Sequence, residues 1–157
     1  MDFDYTFGNE GYKYCNNFGL KVKKYQPLAE EQEQENQPGM EYLMTPKPVF
    51  DDPNYKGSGK LHDKVAIITG ADSGLGRAAA IAFTKEGAKV VIPYLNEHKD
   101  ALFTKNYIEK LGGECLLIAG DITEHKFCKH IVEQTLEKFG KIDILVNNAG
   151  VQYQQDT

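Results

Sequence analysis

A glycine-rich segment at residues 69–76, TGADSGLG, is the part of the sequence best suited to chemistry. It follows a short apolar run at 65–68 and precedes a segment at 75–86 whose apolar residues recur at helical spacing. Glycine permits the sharp turn that such a junction needs, and Gly74, which has no Cβ, lets a phosphate approach the backbone. The helix that follows presents free amides and the positive end of its dipole. The segment therefore predicts a binding site for a phosphate-bearing ligand.

The same segment fits the spacing of a dinucleotide-binding turn. Residues 74–79, GLGRAA, match the pattern G-x-G-x-x-A, in which Gly76 would let the helix pack closely on the strand. A P-loop is excluded, because Gly59 and Lys60 are followed by Leu61 where Ser or Thr is needed. An ordinary glycine-rich turn without a ligand is the alternative. Under the dinucleotide interpretation, the loop residues predicted to contact the cofactor are Thr69, Gly70, Asp72, Ser73, Gly74, Leu75 and Gly76.

The choice between NAD and NADP depends on the end of the next apolar run. An acidic residue about 20 positions beyond the glycines would bind the adenine ribose hydroxyls of NAD. Tyr94, which we include among the predicted cofactor-binding residues, occupies this place, and Glu97 lies further on. Because no carboxylate at the strand end repels a 2′-phosphate, and because Arg77 could contribute to binding one, the sequence favours NADP. No basic residue stands directly before Gly74 to clasp that phosphate, so NAD and the use of both stay open as alternatives.

Strand-like and helix-like segments alternate after residue 61. The predicted strands are 65–68, 90–92, 115–119 and 142–146, and the predicted helices are 75–86, 99–111 and 124–139. This alternation predicts βαβ units around a parallel sheet with helices on both faces. The predicted fold class is α/β, a Rossmann-type doubly wound parallel sheet that is truncated after the fourth strand. The apolar residues predicted to face the sheet are Leu75, Ala78, Ala79, Ala82, Phe83, Ala101, Leu102, Ile108, Leu111, Cys128, Ile131, Val132 and Leu136.

Residues 1–60 differ in composition from the rest of the chain. They contain five of the six prolines, a Glu/Gln-rich run at 30–35 and the turn-prone sequence GSG at 57–59. Such a composition predicts a flexible N-terminal tail and an extended arm rather than a packed domain. Residues 61–157 are predicted to form an incomplete NAD(P)-binding half-domain.

Composition and charge argue against several classes of function. The formal net charge is −5, from 18 Lys and Arg and 23 Asp and Glu residues, which argues against nucleic-acid binding. The three cysteines form no CxxC pair, and no apolar run is long enough for a signal peptide or a membrane span. We therefore expect a cytoplasmic protein with reduced thiols. His125, Cys128 and His130 do not all share one helix face, so no metal site is predicted.

Three motifs in this order, each after a predicted strand, resemble the short-chain dehydrogenase/reductase family. They are the glycine-rich segment at 69–76, Asp121 after the third strand and the sequence NNAG at 147–150 after the fourth. The resemblance covers about residues 61–152. Parts of the arm are also similar to the extension of a bacterial branch that includes general-stress and glucose/ribitol-dehydrogenase-like oxidoreductases; these parts are 37–41, 44–48 and 55–61.

This resemblance implies hydride transfer between a nicotinamide cofactor and an alcohol or carbonyl substrate. The site residues that it implies are Thr69 as a brace of the glycine loop, Asp121 and Ile122 at the adenine, Asn147 as a tie between the fourth strand and its neighbours, and Ala149 and Gly150 along the cofactor ribose. Asp121 with Thr123 also fits a helix-capping turn, and the two roles are compatible. A polar turn at the end of the strand is the alternative for Asn147 and Asn148.

The catalytic residues of that family are not found in the sequence. The resemblance calls for a Ser and a Tyr-x-x-x-Lys pair, in which the Lys lowers the pKa of the Tyr. None of the nine tyrosines has a lysine four residues later, and both serines, Ser58 and Ser73, precede the fourth strand. We therefore name no catalytic residue and expect the cofactor-binding part of an oxidoreductase, inactive alone. A catalytically inactive nucleotide-binding or interaction fragment is the alternative. For full-length relatives the resemblance implies a small alcohol or carbonyl substrate and homo-oligomers.

Overall fold

The computed structural model describes residues 39–151 and, nearer the N-terminus, three short strands: β1 (Tyr5–Phe7), β2 (Tyr12–Cys15) and β3 (Leu20–Lys23). These strands form an antiparallel sheet in the order β1-β2-β3. The chain divides into two compact units, Met1–Glu33 and Gln34–Thr157. The other residues of the predicted tail, including the Glu/Gln-rich run, lie outside the described residues, so its flexibility stays a prediction.

Four parallel strands form the sheet of the second unit. They are β4 (Val65–Ile68), β5 (Lys89–Tyr94), β6 (Cys115–Ala119) and β7 (Ile144–Val146), in the spatial order β6-β5-β4-β7. The chain runs outward from β4 to β6 and then returns to the other side of β4, so the strand order reverses between β4 and β7. The predicted α/β class with a Rossmann-type parallel sheet is confirmed.

Three helices cover the two faces of this sheet: α1 (Gly74–Lys85), α2 (His98–Lys110) and α3 (His125–Phe139). Because side chains alternate along a strand, Ala66 and Ile68 belong to one face of β4, and Val65 and Ile67 belong to the other. All four are buried, as expected for a strand covered on both sides. None of the helices in the described part of the chain is long and apolar enough to cross a membrane.

The helix faces that turn toward the sheet differ from the predicted stripes. In α3, Ile131 and Thr135 are buried, whereas Val132 and Leu136 are 42% and 45% exposed and Cys128 is exposed as well. The buried residues of the other two helices are Gly76, Arg77, Ala80, Ile81 and Thr84 in α1 and Asp100, Ala101, Thr104 and Ile108 in α2. The predicted residues Leu75, Leu102 and Leu111 are exposed.

Buried threonines explain part of this difference. The hydroxyl of Thr84 donates to the carbonyl of Ala80 at 2.8 Å, and that of Thr135 donates to the carbonyl of Ile131 at 2.6 Å. A threonine whose hydroxyl is satisfied by its own helix can face a core without an unpaired polar group. Counting apolar residues alone therefore placed part of the stripes on the wrong positions, although the predicted residues Ala101, Ile108 and Ile131 are buried.

The described part of the arm, residues 39–60, belongs to the second unit and packs against its helices α1 and α2. The Phe50 ring makes edge contacts with the rings of Phe103 and Tyr107, at centroid distances of 5.8 and 5.2 Å. Asp51 pairs with Lys85 at 2.5 Å and accepts a hydrogen bond from the Tyr107 hydroxyl at 2.8 Å. The only helical element in this described stretch is a 3₁₀ turn at Glu41–Leu43.

Candidate cofactor-binding site

The glycine loop, residues 69–73, lies at the carboxyl ends of the central strands. The backbone nitrogen of Thr69 donates to the carbonyl of Val146 in β7 at 3.1 Å, and that of Gly70 donates to the carbonyl of Pro93 in β5 at 2.8 Å. The loop is therefore joined to both neighbours of β4. Its position at the strand-order reversal is where open parallel sheets bind ligands.

Two glycines of the site are required for different reasons. A Cβ on Gly76 would lie 2.5 Å from both the Gly70 carbonyl oxygen and the Asn148 side-chain nitrogen, so no side chain fits there. Gly74, the first residue of α1, has a φ of +53°, and a Cβ on it would meet nothing within 4 Å. Its surroundings leave room for a ligand at the start of the helix, and its backbone angle disfavours any other residue.

Thr69 and Asn148 join the glycine loop to the turn after β7. The Thr69 hydroxyl oxygen accepts hydrogen bonds from the backbone nitrogens of Asn148 and Ala149, each at 3.0 Å. The Asn148 side chain donates to the carbonyls of Thr69 at 2.9 Å and Gly70 at 3.1 Å. Thr69 is thus at the centre of the link between the glycine loop and the turn after β7.

The tie that was predicted for Asn147 is made by the next residue. Asn147 is exposed, and its side chain makes no hydrogen bond with the described residues. β7 ends at Val146, so both asparagines lie in the turn after the strand, where the regular alternation of side chains no longer applies. Two adjacent asparagines therefore gave no basis in the sequence for choosing Asn148.

Arg77 lies behind the loop and is 2% exposed. Its guanidinium donates to the carbonyl of Asp72 at 3.0 and 2.6 Å and to the Thr104 hydroxyl at 2.7 Å. The rings of Phe50 and Phe103 lie 5.3 and 4.9 Å from its central carbon, within the range of cation–π contacts. The suggested contribution of Arg77 to a 2′-phosphate is therefore wrong, because this side chain is buried and its donors are committed to the protein.

Glu41, in the arm, also contacts the loop and was missed in the sequence. One oxygen of its carboxylate accepts a hydrogen bond from the backbone nitrogen of Gly74 at 2.6 Å, and the other pairs with Arg77. Its own backbone nitrogen donates to the Asp100 carboxylate at 3.0 Å, and Glu41 is 6% exposed. A single glutamate 33 residues before its partner carries no spacing signal, so periodicity could not find it.

At the end of β5, Tyr94 and Glu97 are both largely buried, 9% and 5% exposed. The Tyr94 hydroxyl hydrogen-bonds the His98 ring at 2.9 Å. One carboxylate oxygen of Glu97 accepts a hydrogen bond from the Asn96 backbone nitrogen at 3.1 Å, and the other has no hydrogen-bond partner among the described residues. Burial, followed by the negative charges of Asp72 and Glu97, raises the pKa of Tyr94.

Asp72 adds a second carboxyl group at this end of the sheet. It is 5% exposed, and burial is the largest cause that raises its pKa. The negative charges of Glu97 and Asp100 raise it further. The region beside Tyr94 therefore offers hydrogen-bond acceptors, which suit the hydroxyl groups of a ribose better than a phosphate.

Asp121 follows β6 and has an exposed carboxylate. It accepts a hydrogen bond from the backbone nitrogen of Thr123 at 2.8 Å, and this bond is the largest cause that lowers the pKa of Asp121. Ile122 beside it is 38% exposed. This bond between residues i and i+2 is an Asx turn and not the anticipated helix cap, because the residue before α3 is Glu124, which makes no side-chain capping hydrogen bond.

The structure brings the predicted residues to one edge of the sheet, since Thr69, Tyr94, Asp121 and the 147–150 turn each follow or end a parallel strand. Ala149 and Gly150 are exposed there. In the described part of the chain no group of three or more His, Cys, Asp and Glu side chains is arranged to hold a metal ion.

A doubly wound α/β domain with a glycine-rich turn at its strand-order reversal defines a Rossmann-type fold. The model of the short chain dehydrogenase family matches residues 64–157, and the chain belongs to this family. The structure of glucose dehydrogenase from Caenorhabditis elegans has a TM-score of 0.55 and 41% identity over 59% of this chain and 40% of that one.

Curated relatives agree with the bacterial branch suggested by the arm. The chain is 57% identical to the uncharacterized oxidoreductase YhdF of Bacillus subtilis (strain 168), over 82% of this chain and 44% of YhdF. It is 52% identical to general stress protein 39 of the same bacterium, over 80% of this chain and 44% of that protein. NADPH-dependent aldehyde reductase 1 of Arabidopsis thaliana is 40% identical, over 82% of this chain and 47% of that protein. The chain thus spans less than half the length of these relatives.

Proposed function

We propose that this chain is the cofactor-binding part of an NAD(P)-dependent oxidoreductase that transfers hydride between a nicotinamide cofactor and an alcohol or carbonyl substrate. Membership of the short chain dehydrogenase family supports the class of reaction. The observation that carries the proposal is the glycine loop, which is fixed at the strand-order reversal and has open space at Gly74.

The described residues fit a dinucleotide along the carboxyl edge of the sheet. The start of α1 at Gly74 would hold the pyrophosphate, because its amides and dipole favour an anion. The buried carboxylate of Glu97 would lie near the adenine ribose and act on it through its charge. The residues proposed to contact the cofactor are Thr69, Gly70, Asp72, Ser73, Gly74, Leu75, Gly76, Tyr94, Asp121, Ile122, Asn147, Ala149 and Gly150. The bound nicotinamide would supply or accept the hydride.

Two observations bear on NAD against NADP. The name of the Arabidopsis relative, an NADPH-dependent reductase, supports the preference for NADP drawn from Tyr94. The buried carboxylate of Glu97, beside Tyr94, supports NAD, since a charged carboxylate repels a 2′-phosphate. We therefore propose that the chain accepts both dinucleotides and that Glu97 sets the ratio of the two affinities.

Catalysis by this chain alone is not part of the proposal. The sequence contains no Tyr-x-x-x-Lys pair to transfer a proton to or from a substrate oxygen. We expect cofactor binding without turnover, and an inactive nucleotide-binding or interaction fragment remains the alternative. A small alcohol or carbonyl substrate, homo-oligomers of longer relatives and a cytoplasmic location belong to the same proposal.

Calorimetric titration of the purified chain with NADH and NADPH tests the proposal. We expect saturable binding by the wild type and at least a tenfold loss in Gly74→Val, because the added side chain fills the space at the start of α1. Gly112→Val is the matched control, since Gly112 also has a positive φ and open space but lies after α2. A wild-type chain that is folded by circular dichroism and binds neither dinucleotide at millimolar concentration would refute the proposal.

A further inference from the structure

We propose that Glu41 is a positioning residue for the cofactor loop, so that the affinity for the dinucleotide depends on the arm. This inference rests on the proposed function. Glu41 does not touch the cofactor in the proposal. It acts through the backbone of Gly74 and through Arg77, which together fix the beginning of α1.

The first step is the direct contact with the helix. Ser73, the residue that precedes α1, makes no side-chain capping hydrogen bond, and the first turn of the helix contains no acidic residue. The carboxylate of Glu41 takes over this function from outside the helix, by accepting a hydrogen bond from the Gly74 nitrogen at 2.6 Å. The first amide of α1 is thereby held in place, and the next amides, at Leu75 and Gly76, stay free for an anion.

The second step is the contact through Arg77. Its guanidinium pairs with Glu41 and donates two hydrogen bonds to the carbonyl of Asp72, one residue before the helix cap. The Thr104 hydroxyl donates to the same carbonyl at 2.8 Å. Glu41 therefore holds both sides of Ser73, on one side through the Gly74 nitrogen and on the other through Arg77 and the Asp72 carbonyl.

The burial of Glu41 distinguishes a positioning residue from a carboxylate that only occupies the phosphate site and that a phosphate would displace. A displaceable carboxylate would be exposed and weakly held. Glu41 is 6% exposed, both its oxygens are engaged, and its backbone nitrogen is bonded to Asp100. Expelling it would leave the buried Arg77 with fewer compensating charges, which is costly.

Glu41 lies outside the part of the chain that the family model describes. That match begins at residue 64, whereas Glu41 belongs to the preceding arm. A domain of this family is thus supplemented, at its phosphate-binding turn, by a side chain that the family model does not include.

Glu86, which binds the same arm from the end of α1, provides a matched control. It is also 6% exposed and binds the arm, accepting hydrogen bonds from the backbone nitrogens of Ser58 at 3.0 Å and Lys60 at 2.9 Å and from the Tyr55 hydroxyl. It lies directly after the last residue of α1, at the opposite end from the glycine loop. Loss of this carboxylate should loosen the arm without disturbing the start of the helix.

The experiment compares Glu41→Gln with Glu86→Gln in the 157-residue chain. Glutamine has one acceptor oxygen, so its amide group must face either the Gly74 nitrogen or Arg77, donor against donor. We expect Glu41→Gln to raise the Kd for NADH and NADPH about tenfold and to speed amide exchange at Gly74, measured by NMR. Glu86→Gln should change neither quantity. If Glu41→Gln does not fold, Glu41→Asp replaces it, because the shorter side chain cannot reach both partners.

Each other outcome decides against the proposed positioning role of Glu41. Tighter binding by Glu41→Gln would show that the carboxylate competes with the phosphates. Unchanged binding and exchange would show no positioning role, and equal losses in both variants would indicate a general effect of arm docking. If the wild type binds neither dinucleotide, the proposed function fails, and the exchange rate of the Gly74 amide alone then tests whether Glu41 holds the loop.

Discussion

The hydroxyl oxygen of Thr69 lies 3.0 Å from the backbone nitrogen of Asn148, a residue 79 positions later in the chain. This hydrogen bond and the three beside it connect the turn after β7 to the glycine loop after β4. These bonds fix the distance between the glycine loop and the turn after β7. A ligand bound at the strand-order reversal would lie against both segments at this distance.

Replacing Thr69 with Val should destabilise the chain by about 1–3 kcal/mol, because the methyl group leaves two backbone amides without an acceptor. Urea unfolding followed by circular dichroism measures the change. Thr84→Val is the control, since its hydroxyl donates only to a carbonyl of its own helix. If the two variants lose equal stability, the hydrogen bonds of Thr69 to the turn after β7 do not account for its contribution to the free energy of unfolding.

Glu86 predicts a specific dependence of stability on pH. The hydrogen bond from Tyr55 is the largest cause that lowers the pKa of Glu86, from its ordinary value of 4.5 to about 2. Because the folded pKa is lower than the unfolded one, the contribution to stability is complete above pH 4.5 and is lost as the pH falls toward 2. We expect Glu86→Gln to be less stable than the wild type at pH 7.

Urea unfolding of both proteins between pH 7 and pH 2.5 measures this dependence. The difference in the free energy of unfolding should shrink steadily below pH 4.5, because Glu86 takes up a proton in the unfolded chain while it is still ionised in the folded one. A difference that stays constant over this range would mean that the charge of Glu86 is not what stabilises the arm.

Glu97→Gln should shift the choice of dinucleotide toward NADPH. The substitution keeps the size of the side chain and removes the negative charge beside Tyr94 and Asp72. We expect the ratio of the Kd for NADPH to the Kd for NADH to fall about tenfold, which corresponds to about 1.4 kcal/mol. Parallel calorimetric titrations with the two cofactors provide the measurement.

Glu133→Gln is the control for this shift, because Glu133 is an exposed residue of α3 paired with Lys129. It changes the net charge equally but lies on a different element. A ratio that moves by the same factor in both variants would assign the effect to net charge, and an unchanged ratio in Glu97→Gln would remove this residue from cofactor selection.

The strands of the domain were predictable because each is a continuous apolar run. Val65 to Ile68 contains no polar residue, and such runs in a βαβ pattern have few alternatives to a buried parallel strand. The glycine loop was predictable for a similar reason, since its glycines and its neighbours along the chain are sufficient to recognise it. Both signals are local in the sequence.

The orientation of the helices and part of the site depended on long-range partners. Arg77 occupies a core position only because Glu41, Asp100 and two aromatic rings surround it, and all four of these partners lie at least 23 residues away. No rule of spacing places an arginine inside a protein without knowledge of its partners. The pattern of apolar residues therefore did not predict the burial of polar residues such as Arg77, whose charge or hydrogen-bonding groups are satisfied by other parts of the chain.

Glu41 and Arg77 have a consequence for inheritance. Each compensates part of the buried charge of the other, so the effect of a mutation at one site depends on the residue at the second. Recombination that exchanged the arm with that of a relative carrying an apolar residue in place of Glu41 would leave Arg77 with Asp100 as its one remaining carboxylate partner among the described residues, beside the phosphate-binding turn. We expect the arm and the first helix to be inherited as one unit, although the boundary of the family domain falls between them.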